Sequence, residues 1–295
     1  MAGKVEIPEA LKSEVPQTMW GRILLATPIV MTVIATMLAG LASSEMTRAQ
    51  YARSLAAQLQ SKAGDQWGYA AAKKTRGGLA HNSLDLLVAS ASVQPLSADA
   101  LADADPAVVT AFTGGKLPAV NLPKFDGDLK AALDALAADR PESEIEGILK
   151  KVSDATISNA LEQTKDAANE FDTVSGPINS YSDKMDDKLM SASPDVFRSF
   201  AAARLRYTGA RYDMEAKMNQ AVASMYEMQV RKQNIEAEKH HARSGSFFIG
   251  MLAAQAAVII ATFSIAARKR NFLWSLAAAA GAGAVAFSLY VYLYV

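Results

Sequence analysis

Apolar positions run through this chain in two different patterns, and the switch between them divides the molecule. In three places they are continuous: Ile23–Ala42 (ILLATPIVMTVIATMLAGLA), Phe247–Ala267 (FFIGMLAAQAAVIIATFSIAA) and Phe272–Val295 (FLWSLAAAAGAGAVAFSLYVYLYV). None holds a charge, and each reaches the roughly 20 residues that a helix needs to cross a bilayer. A secretory signal is the alternative for the first, but its apolar core is too long and no cleavage signal stands out. Elsewhere the apolar residues recur at helical spacing. Ala49, Ala52, Ala56, Leu59, Ala63, Trp67 and Ala70 form one stripe after the first span. Tyr207, Arg211, Met214, Met218, Ala221, Met225, Met228, Lys232 and Ile235 step by fours and threes before the second, a heptad seam.

These patterns predict an all-α membrane protein: three transmembrane helices, a long antiparallel helical stalk and a helical cap. The expected order is an N-terminal tail (1–22), a first span (23–42), an outgoing stalk helix (43–92), a cap module (93–193), a returning stalk helix (194–246), a second span (247–267), a basic turn (268–271) and a third span (272–295). Gly77-Gly78 is the expected weak point of the outgoing helix, and Pro194 the first helical position of the returning one. In the cap, short helices are expected around Pro106–Thr113 and over Asp126–Ala138, the latter with Leu129, Leu133 and Leu136 on one side. A longer helix is expected from Arg140 to Met190, carrying Ile157, Leu161, Ala168, Phe171, Ile178, Met185 and Leu189, kinked or broken at Gly176-Pro177.

If Ser43 and Gly245 mark one membrane surface, Trp67 stands about 36 Å from it at 1.5 Å per residue, level with Ala221 and Val222. Trp67 is then the large knob of a seam lined by alanines and filled by Met214, Met218, Met225 and Met228. Lys73 and Lys74 fall near Glu215, and Arg76 near Asp213. Tyr69 points about 200° away from Trp67 and must meet another helix or another copy.

Charge sharpens this division. The formal net charge is zero, but Pro95–Asp195 holds 19 acidic against 9 basic residues, leaving 11 against 21 elsewhere. The cap is an acidic module whose partner the sequence does not identify, and nucleic acid is not expected. Arg268, Lys269 and Arg270, in the short turn between the last two spans, argue for a cytoplasmic turn. Arg48, Arg53, Lys239 and Arg243 also flank spans and pull the other way, but long loops count less. The stalk and cap are therefore expected outside the cytoplasm, on the periplasmic side of a bacterial inner membrane.

Candidate chemistry is sparse. There is no cysteine, and the three histidines are His81, His240 and His241. Glu236 lies one turn before His240, a spacing able to hold a metal on one face, but no second pair accompanies it. An interfacial role or a pH-sensing role are the other readings of the His240-His241 pair. FTGGKLP (Phe112–Pro118) lacks the spacing of a phosphate loop. The expectation is a protein that is not an enzyme and has no cofactor. Inside the spans, Gln255 is a polar side chain suited to bonding a neighbouring helix or lining a pore, and Ser275, Ala279 and Gly283 make a small-residue stripe for close packing.

Two stretches together carry a resemblance. They are Ser43–Arg76, with Ala63, Asp65, Gln66, Trp67, Tyr69 and Lys73, and Arg211–Trp274, with His240-His241, Gln255 and a basic turn leading to Phe272 and Trp274. They resemble a bacterial membrane-protein family catalogued as domain of unknown function 4337, over a little more than half the chain. The resemblance implies the same topology and brings no activity with it; the module at 95–193 is longer and more acidic than the family implies. The functional expectation is a self-associating structural or scaffolding membrane protein, in contact with the lipid bilayer and with other copies of itself. The alternatives are a channel or transport subunit with a pore lined by small residues and Gln255, and a sensory stalk acting with a partner.

Overall fold

The computed structural model describes residues 18–125, 127–189, 193–266 and 270–294, and every described element is helical. Helix α1 runs from Met19 to Ser90, where Thr18 caps its start by accepting a hydrogen bond from the Gly21 N–H at 3.2 Å. A 3-10 turn (Ala98–Leu101) leads to α2 (Pro106–Gly114), α3 (Gly127–Ala137), α4 (Glu142–Leu149) and α5 (Asp154–Leu189). Helix α6 (Pro194–Ala266) and α7 (Arg270–Tyr294) complete the chain. Helices α1, α6 and α7 are long and apolar enough to cross a membrane, by length and composition.

The chain divides into two units, one made of residues 1–54 and 234–295, the other of 55–233. In the first unit, the outer parts of α1 and α6 pack with α7. The shared core is Ala35, Leu38 and Ala42 from α1, Phe247 and Ala254 from α6, and Ala284 and Val291 from α7. Small side chains dominate because lipid is as apolar as a helix, so association depends on close contact and hydrogen bonds. At Gly250 a Cβ would sit 2.6 Å from the Ser288 hydroxyl, so only glycine permits this approach. Trp20 and Trp274 meet at 4.9 Å between ring centroids, and the Trp274 indole N–H donates to the Thr27 hydroxyl at 2.9 Å.

The second unit has an aromatic core instead. Phe112 on α2 lies 5.4 Å from Phe200 and 5.6 Å from Tyr207, both on α6, between ring centroids. Leu101, Val108, Ile178 and Met185 close around them. Burying each such aromatic is worth about 2–3 kcal/mol. Helix α2 is placed for this by local signals: Asp105 accepts from the Ala107 N–H at 2.8 Å, Pro106 takes the first turn, and Gly115 ends it at φ 62°, where a side chain would be strained.

Three sequence expectations change here. Gly77-Gly78 does not weaken α1, which is continuous; a Cβ at Gly77 would lie 2.8 Å from Asp213 Oδ1, so this glycine serves a close helix contact. Pro177 does not interrupt α5, although its missing N–H leaves the Thr173 carbonyl without its helical donor. The single helix expected over Arg140–Met190 is two, because the chain turns at Lys150–Ser153 and Ser153 caps α5 by accepting from the Thr156 N–H at 3.0 Å. In α3 the buried face is Leu129, Ala132 and Ala135, with Leu133 and Leu136 half-buried.

Candidate interaction surfaces

The methionine stripe of α6 is spent inside one chain. Met218, Met225 and Met228 are buried, Met214 is half-buried and Ala221 is exposed. Burial of Val222, Ala223, Tyr226 and Val230 as well shows that α6 is covered on more than one side. Of the four methionines only Met214 keeps part of its surface open. Helix α1 instead buries one narrow seam here, Ala56, Ala63, Ala70 and Gly77 at steps of seven, with Ala80 three residues further on. Its other faces stay open, with Tyr69, Leu79 and Leu86 exposed by 58, 61 and 70 %.

Trp67 is not the knob at the seam centre. It sits at the rim, 38 % exposed, and its indole N–H donates to Glu227 Oε1 at 2.8 Å. Below it lies a cluster of charges. Glu215 is 8 % exposed, pairs with Lys73, and lies 3.5 Å from Arg211 Nε. Both cations rest over the Tyr212 ring, Arg211 at 4.5 Å and Lys73 at 5.4 Å from its centroid. At the edge, partial loss of hydration raises the Asp172 carboxyl above its ordinary range, and the Glu215 charge adds to this while Lys73 and Arg211 oppose it. Burial likewise raises the Tyr207 phenol. Lys74 and Arg76 stay exposed, and Asp213 takes His81 at 3.0 Å instead of Arg76. That pair fits because a Cβ at Gly209 would meet the His81 ring at 2.7 Å.

In the first unit, Glu45 is 9 % exposed and its carboxylate meets His240 Nδ1 at 2.6 Å and Arg48 Nη1 at 3.2 Å. The Ser244 hydroxyl donates to the Ala42 carbonyl at 2.7 Å. Sequence reasoning missed the Glu45 partner of His240; its signal is a lone acid just beyond the first span, opposite a histidine just before the second. Among the described residues no group of three or more His, Asp or Glu is placed to hold a metal.

The small-residue stripe also faces a different way. Helix α7 turns Ala277, Gly281, Ala284, Ser288 and Val291 inward, while Ser275, Ala279 and Gly283 are exposed. Between α1 and α7 lies an apolar groove of about 710 Å³, where Gly281 faces Met31. A second groove, of about 450 Å³, lies between α1 and α6 and is lined by Thr32, Ala35, Thr36, Ala39, Gln255, Val258 and Ile259. Gln255 is exposed in it and makes no hydrogen bond among the described residues. Arg268 and Lys269, named for topology, lie outside the described residues, as does the side chain of Arg270.

Comparison with family models, with curated proteins and with solved structures finds no match in any of the three. The functional reading rests on the geometry of these surfaces.

Proposed function

We propose that the protein is a non-catalytic integral membrane scaffold that associates with copies of itself. In this reading α1 and α6 pair antiparallel as a stalk on the periplasmic side of a bacterial inner membrane, and α2–α5 form its acidic cap. Support for the pairing comes from the partners themselves. In one unit Ala42 and Glu45 bond to Ser244 and His240; in the other, Trp67, Lys73 and His81 bond to Glu227, Glu215 and Asp213. Within each unit, numbers rise on α1 as they fall on α6.

Self-association is carried by one observation: Leu79 and Leu86, seven residues apart on α1, are both more than half exposed, with Tyr69 about 80° from the first and about 100° from the second around the helix. Apolar side chains aligned on one helix face in water mark an association surface. Light scattering of the detergent-solubilised protein tests this. The protein component should be a multiple of 31.4 kDa, and the double variant Leu79→Lys, Leu86→Lys should lower it. A monodisperse monomer defeats the reading.

A channel or transport subunit is the second reading, favoured by the exposed Gln255 amide in the middle of a span. Recordings across reconstituted bilayers separate the two, since a scaffold shows no conductance.

A further inference from the structure

Gln255 poses a physical problem that one chain leaves unsolved. It is the ninth residue of the second apolar stretch, about 12 Å in from Phe247 at 1.5 Å per residue, and so near mid-bilayer. Its amide has two donor hydrogens and an acceptor oxygen, all without a hydrogen-bond partner among the described residues. Hydrocarbon cannot satisfy them, and an unmet amide is costly there. The walls beside it are shaped for a visitor. Ala35 and Ala39 are small enough for a helix to approach closely. The Thr32 and Thr36 hydroxyls donate to the Pro28 and Thr32 carbonyls at 2.8 and 2.9 Å, which leaves their oxygens free to accept.

We propose that this groove is the in-bilayer contact between two copies of the chain, with the two Gln255 amides exchanging N–H···O bonds across a two-fold axis. A second copy fits better than other occupants for two reasons. Copies insert with one topology, so their Gln255 side chains meet at equal depth without further design. An amide is also self-complementary, each donating to the other's oxygen, so an isologous contact satisfies both. A lipid tail fills the groove but leaves every polar atom unmet. The proposal rests on the self-association reading and names the contact that reading lacks inside the membrane.

The absence of cysteine makes the test clean. Ile259→Cys places a thiol one turn from Gln255 in the groove, and Phe287→Cys places one on an exposed position of α7 outside it. Each full-length variant is reconstituted into liposomes and oxidised. The expected result is a disulfide-linked dimer with Ile259→Cys and little with Phe287→Cys. Adding Gln255→Leu to Ile259→Cys should weaken dimerisation about tenfold, close to 1.4 kcal/mol, read from the dilution of protein in lipid that halves cross-linking. Circular dichroism checks that this variant folds, and Ile259→Cys with Gln255 intact decides the matter if it does not. Equal cross-linking at both positions, or an unchanged dilution midpoint with Gln255→Leu, overturns the proposal. If light scattering shows a multimer while Ile259→Cys stays uncross-linked, this contact falls and self-association stands. If both show a monomer, both fall.

Discussion

The same two helices, α1 and α6, are held by different chemistry in the two units. In 55–233, α6 buries Met218, Met225, Met228 and Tyr226 and sets Glu215 among two cations. In the unit made of 1–54 and 234–295, alanines outnumber the larger Leu38, Phe247 and Val291, and Gly250 and short hydroxyl bonds such as Ser244 to Ala42 bring the helices close. The buried charge of Glu45 lies beside His240 just beyond the apolar stretches. On the proposed topology, water explains the difference. Outside lipid, burying a large apolar side chain stabilises, and a charge can be hidden if it is paired. Inside lipid, burial gains little, so close approach and hydrogen bonds remain. Of the most apolar 18-residue stretch in each candidate span, only 17, 28 and 28 % is buried within the chain.

The contrast breaks most visibly at Phe112. Phe112→Ala should cost the 55–233 unit about 3–5 kcal/mol, seen as a lower melting temperature by circular dichroism. The helical signal of the spans should persist in the micelle, and its loss in the same transition would show that the units are not held separately. Next comes Glu215→Gln, which leaves Lys73 and Arg211 without their counter-charge in a largely buried site. A loss of about 2–3 kcal/mol is expected, restored in part when Lys73→Met and Arg211→Leu are added; a neutral Glu215→Gln would make the cluster decorative.

In the spans, Gly250→Val should cost about 1–3 kcal/mol by overpacking against Ser288. Gly245→Ala, with open space around it, should be silent. Resistance to unfolding by sodium dodecyl sulfate is the readout. Equal effects from the two would remove the case for close α6–α7 contact.

The smallest effect concerns pH. The Asp172 carboxyl is raised in the fold, so the folded state binds its proton more tightly than the unfolded chain does. Its contribution is therefore favourable below the unfolded value of 3.8 and declines as pH rises through the folded value. Because Asp172 is exposed to water, the effect stays under about 1 kcal/mol. Asp172→Asn should flatten that slope in a series of denaturation curves; an unchanged slope assigns it to another group.

Much of the fold was legible because its signals are local. Pro106 and Ser193-Pro194 start helices where the prolines placed them, and the spans declare themselves by length, although Thr18 starts the first helix inside the stretch that reads as a tail. The turn at Lys150–Ser153 was hidden because no Pro or Gly marks it; only Ser153 before Asp154 hints at a cap. The surfaces were harder. A heptad on α6 reads as one face, yet this helix is covered on several, and which neighbour takes which face is set by non-local packing. Likewise Ser275, Ala279 and Gly283 have the right spacing for a helix contact, but Ala277, Gly281 and Ala284 have it too, and the pairing of Gly250 with Ser288 selects the second set.

Whether copies associate in a membrane is decided most directly by counting them there. With one fluorophore per chain, photobleaching of single particles in native membranes should give two or more steps per spot, in a distribution set by labelling efficiency. One step per spot, at near-complete labelling and across a range of expression levels, would contradict the account.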